Sequence, residues 1–193
     1  MTKARSAAKQ RIIDVAFEHF VQSGYEGASL ADIAESVGIR KASIYTHFKS
    51  KDALFLELLK DALDTESAYV HTCFEVSKVD KLPGERYLRE IQTRYEKAVT
   101  YQFLTRIAYV PPRHLIEHVT SAYQQYIEHI VQCYQPILFE MITDLQDRVT
   151  YTDAYLGILD SLSVELLYDG RMYQRRLSAM LHLYQQGLQN ASN

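Results

Sequence analysis

Glycine and proline are scarce in this sequence, with 7 and 4 residues among 193. Their combined share is about half of the ~12% that average usage predicts, which argues against a turn-rich all-β fold, a collagen-like chain or a flexible linker protein. Cysteine is limited to Cys73 and Cys133, too few for a disulfide scaffold or a four-cysteine metal site. No run of 18 apolar residues occurs, so a transmembrane helix is not expected.

The rest of the composition is that of a soluble, folded protein. Hydrophobic residues make up 47% of the chain and charged residues 23%, which is enough apolar material for a sizeable core. The N-terminal segment lacks the apolar core of a secretory signal. We therefore expect a cytoplasmic protein.

Charge and tyrosine are unevenly distributed along the chain. Residues 1–60 contain nine Lys or Arg and seven Asp or Glu, a net charge of +2, whereas the remaining residues have a net charge of -5. Of the 15 tyrosines, 13 also lie after residue 60. Two regions that differ in charge and in aromatic content suggest two separate tasks.

Apolar residues recur at three- and four-residue intervals through most of the chain, which predicts an all-α fold with about nine helices. Gly24 is expected to end the first helix. Ser29 is expected to cap the second helix, Gly38 to end it and Ser50 to cap the fourth. The three short N-terminal helices, two of them joined by a glycine-containing turn, predict a helix-turn-helix motif at about residues 29–48.

The helical pattern continues to the C-terminus. Pro136 predicts a kink or a short break in a long helix, because proline lacks the amide that would continue it. Thr152 or Asp153 is expected to begin the next helix, and Asp169-Gly170 to close it. The last two helices are expected to form an antiparallel hairpin.

A group of residues in the N-terminal third forms a specific signature. The cluster Ile44-Tyr45-x-His47-Phe48 is followed by Lys51 at the start of the fourth helix. Further positions of the signature are Ala16, Phe20, Gly24, Tyr25, Ser29, Ala34, Gly38, Ile39 and Ser43. Together they resemble the DNA-binding domain of the tetracycline-repressor (TetR) family of bacterial transcription regulators. One position departs from the family, which usually has Ser or Thr as a helix cap where this chain has Arg40.

The resemblance implies a DNA-binding domain at residues 1–50 and a C-terminal ligand-binding and dimerisation domain at residues 51–193. It implies a ligand-responsive regulator, most often a repressor, that binds a palindromic double-stranded DNA operator as a homodimer. A small-molecule effector, which the tyrosines suggest is aromatic or hydrophobic, would release the DNA. The alternative is a DNA-binding adaptor whose C-terminal domain binds a protein instead of a metabolite.

Nine residues are expected to contact DNA. In the family, the residues that match Tyr45, His47 and Lys51 commonly touch phosphates, and bases are read nearer the start of the recognition helix. The full set is Ser29, Arg40, Lys41, Ala42, Ser43, Tyr45, Thr46, His47 and Lys51. Lys3, Arg5 and Lys9 either reach the minor groove as an arm or form a solubilising tail.

Aromatic residues of the C-terminal region are candidates for an effector pocket, because a tyrosine offers apolar area together with one hydrogen bond. The alternative is that they pack the core with their hydroxyl groups at its edge. The pocket candidates are Tyr69, Tyr95, Phe103, Tyr109, Tyr123, Ile127 and Tyr155.

The last two helices have wide apolar faces, which we expect to be exposed in a monomer. Packing of these faces against a second copy predicts a four-helix dimer interface. Its members are Tyr155, Leu159, Leu162, Leu166, Tyr173, Leu177, Leu181 and Tyr184.

Metal and enzyme functions have little support in the sequence. His114 and His118 have the spacing of a zinc pair, but no further ligand at a known spacing accompanies them. No P-loop, nucleophile elbow, zinc-protease motif or dinucleotide fingerprint occurs. We therefore expect no metal site, no cofactor and no enzymatic activity.

Overall fold

The computed structural model describes residues 5–76 and 82–191, and these residues contain α-helices and no β-strand. None of the helices within these ranges is long and apolar enough to cross a membrane. A short 3-10 helix, Arg113–Leu115, precedes the seventh α-helix. The α-helices are α1 (Ala7–Gly27), α2 (Leu30–Val37), α3 (Lys41–Ile44), α4 (Lys51–Val76), α5 (Glu85–Lys97), α6 (Val99–Tyr109), α7 (Ile116–Met141), α8 (Leu145–Tyr168) and α9 (Tyr173–Ala191). The all-α prediction and the predicted helix number are confirmed.

Helix caps read from the sequence are formed by the expected residues. The Ser29 hydroxyl accepts a hydrogen bond from the Asp32 amide at 3.1 Å, and the Ser50 hydroxyl accepts one from the Ala53 amide at 3.0 Å. Gly38 ends α2 in the left-handed conformation, with φ of 78°. These caps fix both ends of α2 and the start of α4.

Gly24 interrupts the first helix with non-helical backbone angles, as predicted, and helical structure continues beyond it to Gly27. Helix α7 runs through Pro136 without a break, and the alternative, a kink, stays a prediction. One predicted helix start is wrong. Helix α8 begins at Leu145, one full turn or more before the predicted start at Thr152 or Asp153, because the Asp144 side chain caps it by accepting from the Asp147 amide.

The chain divides into two compact units. The first consists of Met1–Thr65 and Ala98–Ala122. Four phenylalanines of its core pack against one another: the ring of Phe103 lies 5.3 Å from both Phe17 and Phe55, and Phe20 lies 5.4 Å from Phe55. Such edge-to-face and tilted ring pairs stabilise a core beyond the area that they bury.

The second unit consists of Glu66–Lys97 and Tyr123–Asn193. Tyr134 stacks on Tyr155 with 4.3 Å between ring centroids, and the Tyr173 hydroxyl donates to the Leu88 carbonyl at 2.6 Å. Helices α8 and α9 pack together in this unit, as the predicted hairpin requires. The functional boundary that we place at residue 50 stays a prediction, since compactness does not test function.

Candidate DNA-binding surface

The turn between α2 and α3 orients the following apolar residues toward the core and the polar ones toward the surface. The amide of Ile39 donates to the Ala34 carbonyl at 2.9 Å across the turn at Gly38. Ile44 and Phe48 are then buried in the core of the first unit. Because these two apolar side chains face inward, the polar residues between and before them face outward.

The start of α3 shows what replaces the usual Ser or Thr cap. Arg40 occupies the cap position without a side-chain capping bond, and its backbone carbonyl accepts from the Ser43 amide at 2.8 Å. The guanidinium is therefore not used as a cap, and the side chain is exposed. One further helical turn follows α3, closed by the bond from the Phe48 amide to the Ile44 carbonyl at 2.9 Å.

The structure brings most of the predicted DNA contacts onto one continuous segment. Tyr45 is 51% exposed although it is a large aromatic residue. Ser43 and His47 are half-buried, and Ser29 is occupied as the cap of α2. Arg40, Lys41, Ala42 and Thr46 are exposed, as Tyr45 is.

Lys51 begins α4 and is held by an aromatic ring. Its ammonium lies 4.2 Å from the ring centroid of Tyr25. The Tyr25 hydroxyl donates to the Asp52 carboxylate, which His114 also contacts at 3.2 Å. The hydrogen bond from Tyr25, and secondarily the one from His114, lowers the pKa of Asp52 below its ordinary value.

The cations in and near residues 40–51, which we call the recognition segment, differ in whether an acidic side chain pairs with them. Within the described part of the chain, Arg40, Lys41 and Lys49 form no ion pair and are exposed. In contrast, Arg5 pairs with Glu57 and Asp61, and Lys9 pairs with Glu57 at 2.7 Å. Lys49 is an additional candidate contact that the sequence reasoning missed, and its charge between His47 and Lys51 was the signal.

Of the three cations considered as an N-terminal arm, the structure describes Arg5 and Lys9. Lys3 lies outside the described residues. Arg5 and Lys9 are engaged by α4 carboxylates, and the Lys9 ammonium also lies 5.0 Å from the Phe48 ring. In this arrangement both cations support the core of the first unit.

Sequence comparisons agree with this arrangement. Residues 12–58 match the profile described as bacterial regulatory proteins, tetR family. The match covers about a quarter of the chain and contains the helix-turn-helix segment. The biofilm operon regulator IcaR of Staphylococcus aureus is 46% identical over 56 residues, which are 29% of this chain and 30% of IcaR. The chain thus matches about a third of the length of this curated relative.

Solved structures extend the likeness of the fold over almost the whole chain. A tetR-family regulator from Streptomyces coelicolor has a TM-score of 0.73 at 15% identity and covers 98% of this chain and 83% of its own. FadR of Bacillus subtilis, solved in complex with stearoyl-CoA, has a TM-score of 0.65 at 18% identity, covering 92% of this chain and 98% of its own. The chain therefore has the TetR-family fold. Proteins of this family are transcriptional regulators and not enzymes.

Within the described residues, His114 and His118 do not belong to a group that could hold a metal ion. His114 contacts Asp52, and the described residues contain no group of three or more His, Cys, Asp or Glu arranged to hold a metal ion. His129 contacts the Ser67 carbonyl at 3.1 Å.

The pocket candidates are divided between the two units. Phe103 and Tyr109 belong to the first unit, where Phe103 is a core residue and Tyr109 is exposed. Tyr155 is fully buried in the second unit, and its hydroxyl donates to the Gly84 carbonyl at 3.1 Å. Four candidates remain half-buried in the second unit: Tyr69, Tyr95, Tyr123 and Ile127.

The expected exposure of the predicted dimer residues is wrong. All eight are buried by their own chain and are at most 5% exposed. They pack between α8, α9 and α5 because these helices use their apolar faces to form the core of the second unit. The eight residues, expected at a dimer interface and found in the core of their own chain, are Tyr155, Leu159, Leu162, Leu166, Tyr173, Leu177, Leu181 and Tyr184.

Proposed function

We propose that this protein is a ligand-responsive transcriptional repressor that binds a palindromic DNA operator as a homodimer. The observation that carries the proposal is the recognition segment, where Arg40, Lys41 and Lys49 are exposed and have no ion-pair partner among the described residues. Cations without protein partners are available to replace the counterions of DNA phosphates. Such a regulator works in the cytoplasm, where bacterial DNA is.

The residues of the segment divide into two groups by their chemistry. Lys41, at the start of α3, has the length and donors to bind guanine O6 and N7 in the major groove, with Arg40, Ala42 and Thr46 nearby. Tyr45, His47 and Lys51 act on phosphates, which fix the register without reading sequence. Ser29 and Ser43 have smaller roles, because the Ser29 hydroxyl caps α2 and Ser43 is half-buried.

A second copy packs best on the outer faces of α8 and α9. Ala154 and Gly157 are small and exposed on α8, Ser161 beside them is half-buried, and α9 exposes 68% of Leu183. A side chain at Gly157 would meet no atom of its own chain within 4 Å, so the space beside it is open. Two copies joined here present two recognition segments, which an operator with half-sites about 34–36 Å apart would accept.

The effector binds in the second unit. In this unit the half-buried Tyr69, Tyr95, Tyr123 and Ile127 provide apolar area, and the tyrosines also provide hydroxyl groups, as in ligand pockets. The complex of FadR with stearoyl-CoA supports the view that this fold can hold a small organic ligand. No observation favours a protein partner in place of such an effector.

Selection of bound DNA from a random pool, followed by titration, tests the proposal. The full chain is expected to enrich a palindromic sequence and to bind it with an affinity that falls steeply as salt increases. Lys41→Glu should abolish this binding, whereas Arg86→Glu, on the exposed surface of α5, serves as the matched control and should not. Failure to enrich any sequence, or equal loss in both variants, would contradict the proposal.

A further inference from the structure

A cavity of about 300 Å3 lies entirely within the first unit. It is bordered by the end of α1, the start of α4 and the segment from α6 to the 3-10 helix. Three aromatic residues, Phe20, Tyr25 and Phe55, form one wall, with Ile107 and Pro112 beside them. This volume is at the lower end of the range for small-molecule sites, and the wall offers flat apolar surface.

Two arginines also line this cavity. Arg106 is half-buried and Arg113 is exposed, and neither forms an ion pair with any residue that the structure describes. The Arg106 guanidinium donates through Nη1 to the Val21 carbonyl at 3.1 Å. Glu26 is the one acid among the lining residues, and it is exposed.

Gly24 gives the guanidinium room against the end of α1. A Cβ at this position would lie 3.1 Å from Arg106 Nη2 and 3.4 Å from Nε. The positive φ of 69° also favours glycine here. Glycine at position 24 thus lets the α1 backbone approach the Arg106 guanidinium closely, and the guanidinium has further N–H groups that a ligand can use.

We infer that this cavity binds a small monocarboxylate with a flat apolar body, such as an aromatic acid. The carboxylate contacts Arg106 and Arg113 through charge-assisted hydrogen bonds, and the ring lies against Phe20, Tyr25 and Phe55. A neutral apolar molecule leaves the half-buried guanidinium without a counter-ion, and a larger polyanion meets Glu26. The site is separate from the tyrosines of the second unit and uses none of them.

Occupancy of this site has a consequence for DNA that rests on the proposed function. Tyr25 contributes to the cavity wall, and its ring also holds the Lys51 ammonium. A ligand that shifts this ring therefore changes the position of a phosphate-contacting lysine.

Calorimetry on the full chain without DNA tests the site separately from the proposed function. The probes are 2-naphthoate and its neutral analogue 2-naphthamide. The acid is expected to bind at least about tenfold more tightly than the amide. Arg106→Gln should remove this preference, and Arg86→Gln, on the exposed surface of α5, should leave it unchanged.

Arg113→Gln provides a second test of the site in case Arg106→Gln impairs folding. Arg113 is exposed, so this variant should keep the melting temperature while weakening naphthoate binding several-fold. Absence of naphthoate binding, equal binding of acid and amide, or acid binding that neither arginine variant weakens would each overturn the inference. Loss of DNA binding alone would overturn the proposed function and leave the site standing.

Discussion

The Lys51 ammonium lies 4.2 Å from the centre of the Tyr25 ring, and the hydroxyl of the same ring donates to Asp52. One tyrosine at the end of α1 therefore holds the first two residues of α4, the cation by its face and the carboxylate by its edge. The hydrogen bond from Tyr25 also lowers the pKa of Asp52 below its ordinary value. Lys51 is thus supported on two sides where we propose that it meets a phosphate.

Two substitutions of Tyr25 separate the ring from the hydroxyl. Tyr25→Phe keeps the ring beneath Lys51, and we expect DNA affinity to stay within about twofold of the unchanged chain. Tyr25→Leu removes the ring, and a lost cation–π contact of about 0.5–1 kcal/mol per subunit should lower DNA affinity several-fold. Fluorescence anisotropy titrations give both values. An equal loss in both variants would assign the effect to the hydrogen bond.

Lys41 and Lys51 should differ in what they contribute to DNA binding. Lys51→Ala should weaken binding to selected and scrambled DNA equally and reduce the slope of log K against log salt by about two in a dimer. Lys41→Ala should cost about 1–3 kcal/mol per half-site on selected DNA and leave scrambled DNA nearly unaffected. Titrations at several salt concentrations make the comparison. The opposite pattern would exchange the two roles.

Leu181 and Leu183 provide a test of the dimer surface, because they lie two residues apart on opposite faces of α9. Leu183 is 68% exposed, and Leu183→Asp should give a folded monomer in sedimentation velocity with an unchanged circular dichroism spectrum. Leu181 is 5% exposed, and Leu181→Asp should unfold the second unit because it buries a charge in the core. A folded dimer of the Leu183→Asp variant would exclude this face of α9 from the interface.

The ion pair between Glu66 and Arg94 should be essential to the stability of the second unit. Glu66 is 0% exposed, and Arg94 binds it through two hydrogen bonds of 2.8 and 2.9 Å. Arg94→Met removes the ion-pair partner of a buried carboxylate, which should cost about 3–5 kcal/mol in urea unfolding. The double variant Glu66→Leu with Arg94→Met should recover most of that loss. A double variant as unstable as Arg94→Met alone would refute this account.

Local features of the fold were predictable because their causes lie within a few residues. Ser29, Ser50 and Gly38 act on amides or carbonyls three to four positions away, so the sequence contains both partners of each contact. The start of α8 was missed although its signals are also local. Leu145 and Val149 lie four residues apart, and the Asp144 side chain caps the helix by accepting from the Asp147 amide.

The helices, the turn at Gly38 and the polar residues of the recognition segment follow from the order of residues alone, because periodicity and capping are local. Which cations are neutralised depends on how distant parts of the chain pack, since Arg5 pairs with Asp61 on a helix more than 50 positions away. The same packing places Leu181 in the core and Leu183 on the surface. Both leucines are equally apolar in the sequence, and burial depends on which helices pack against each face.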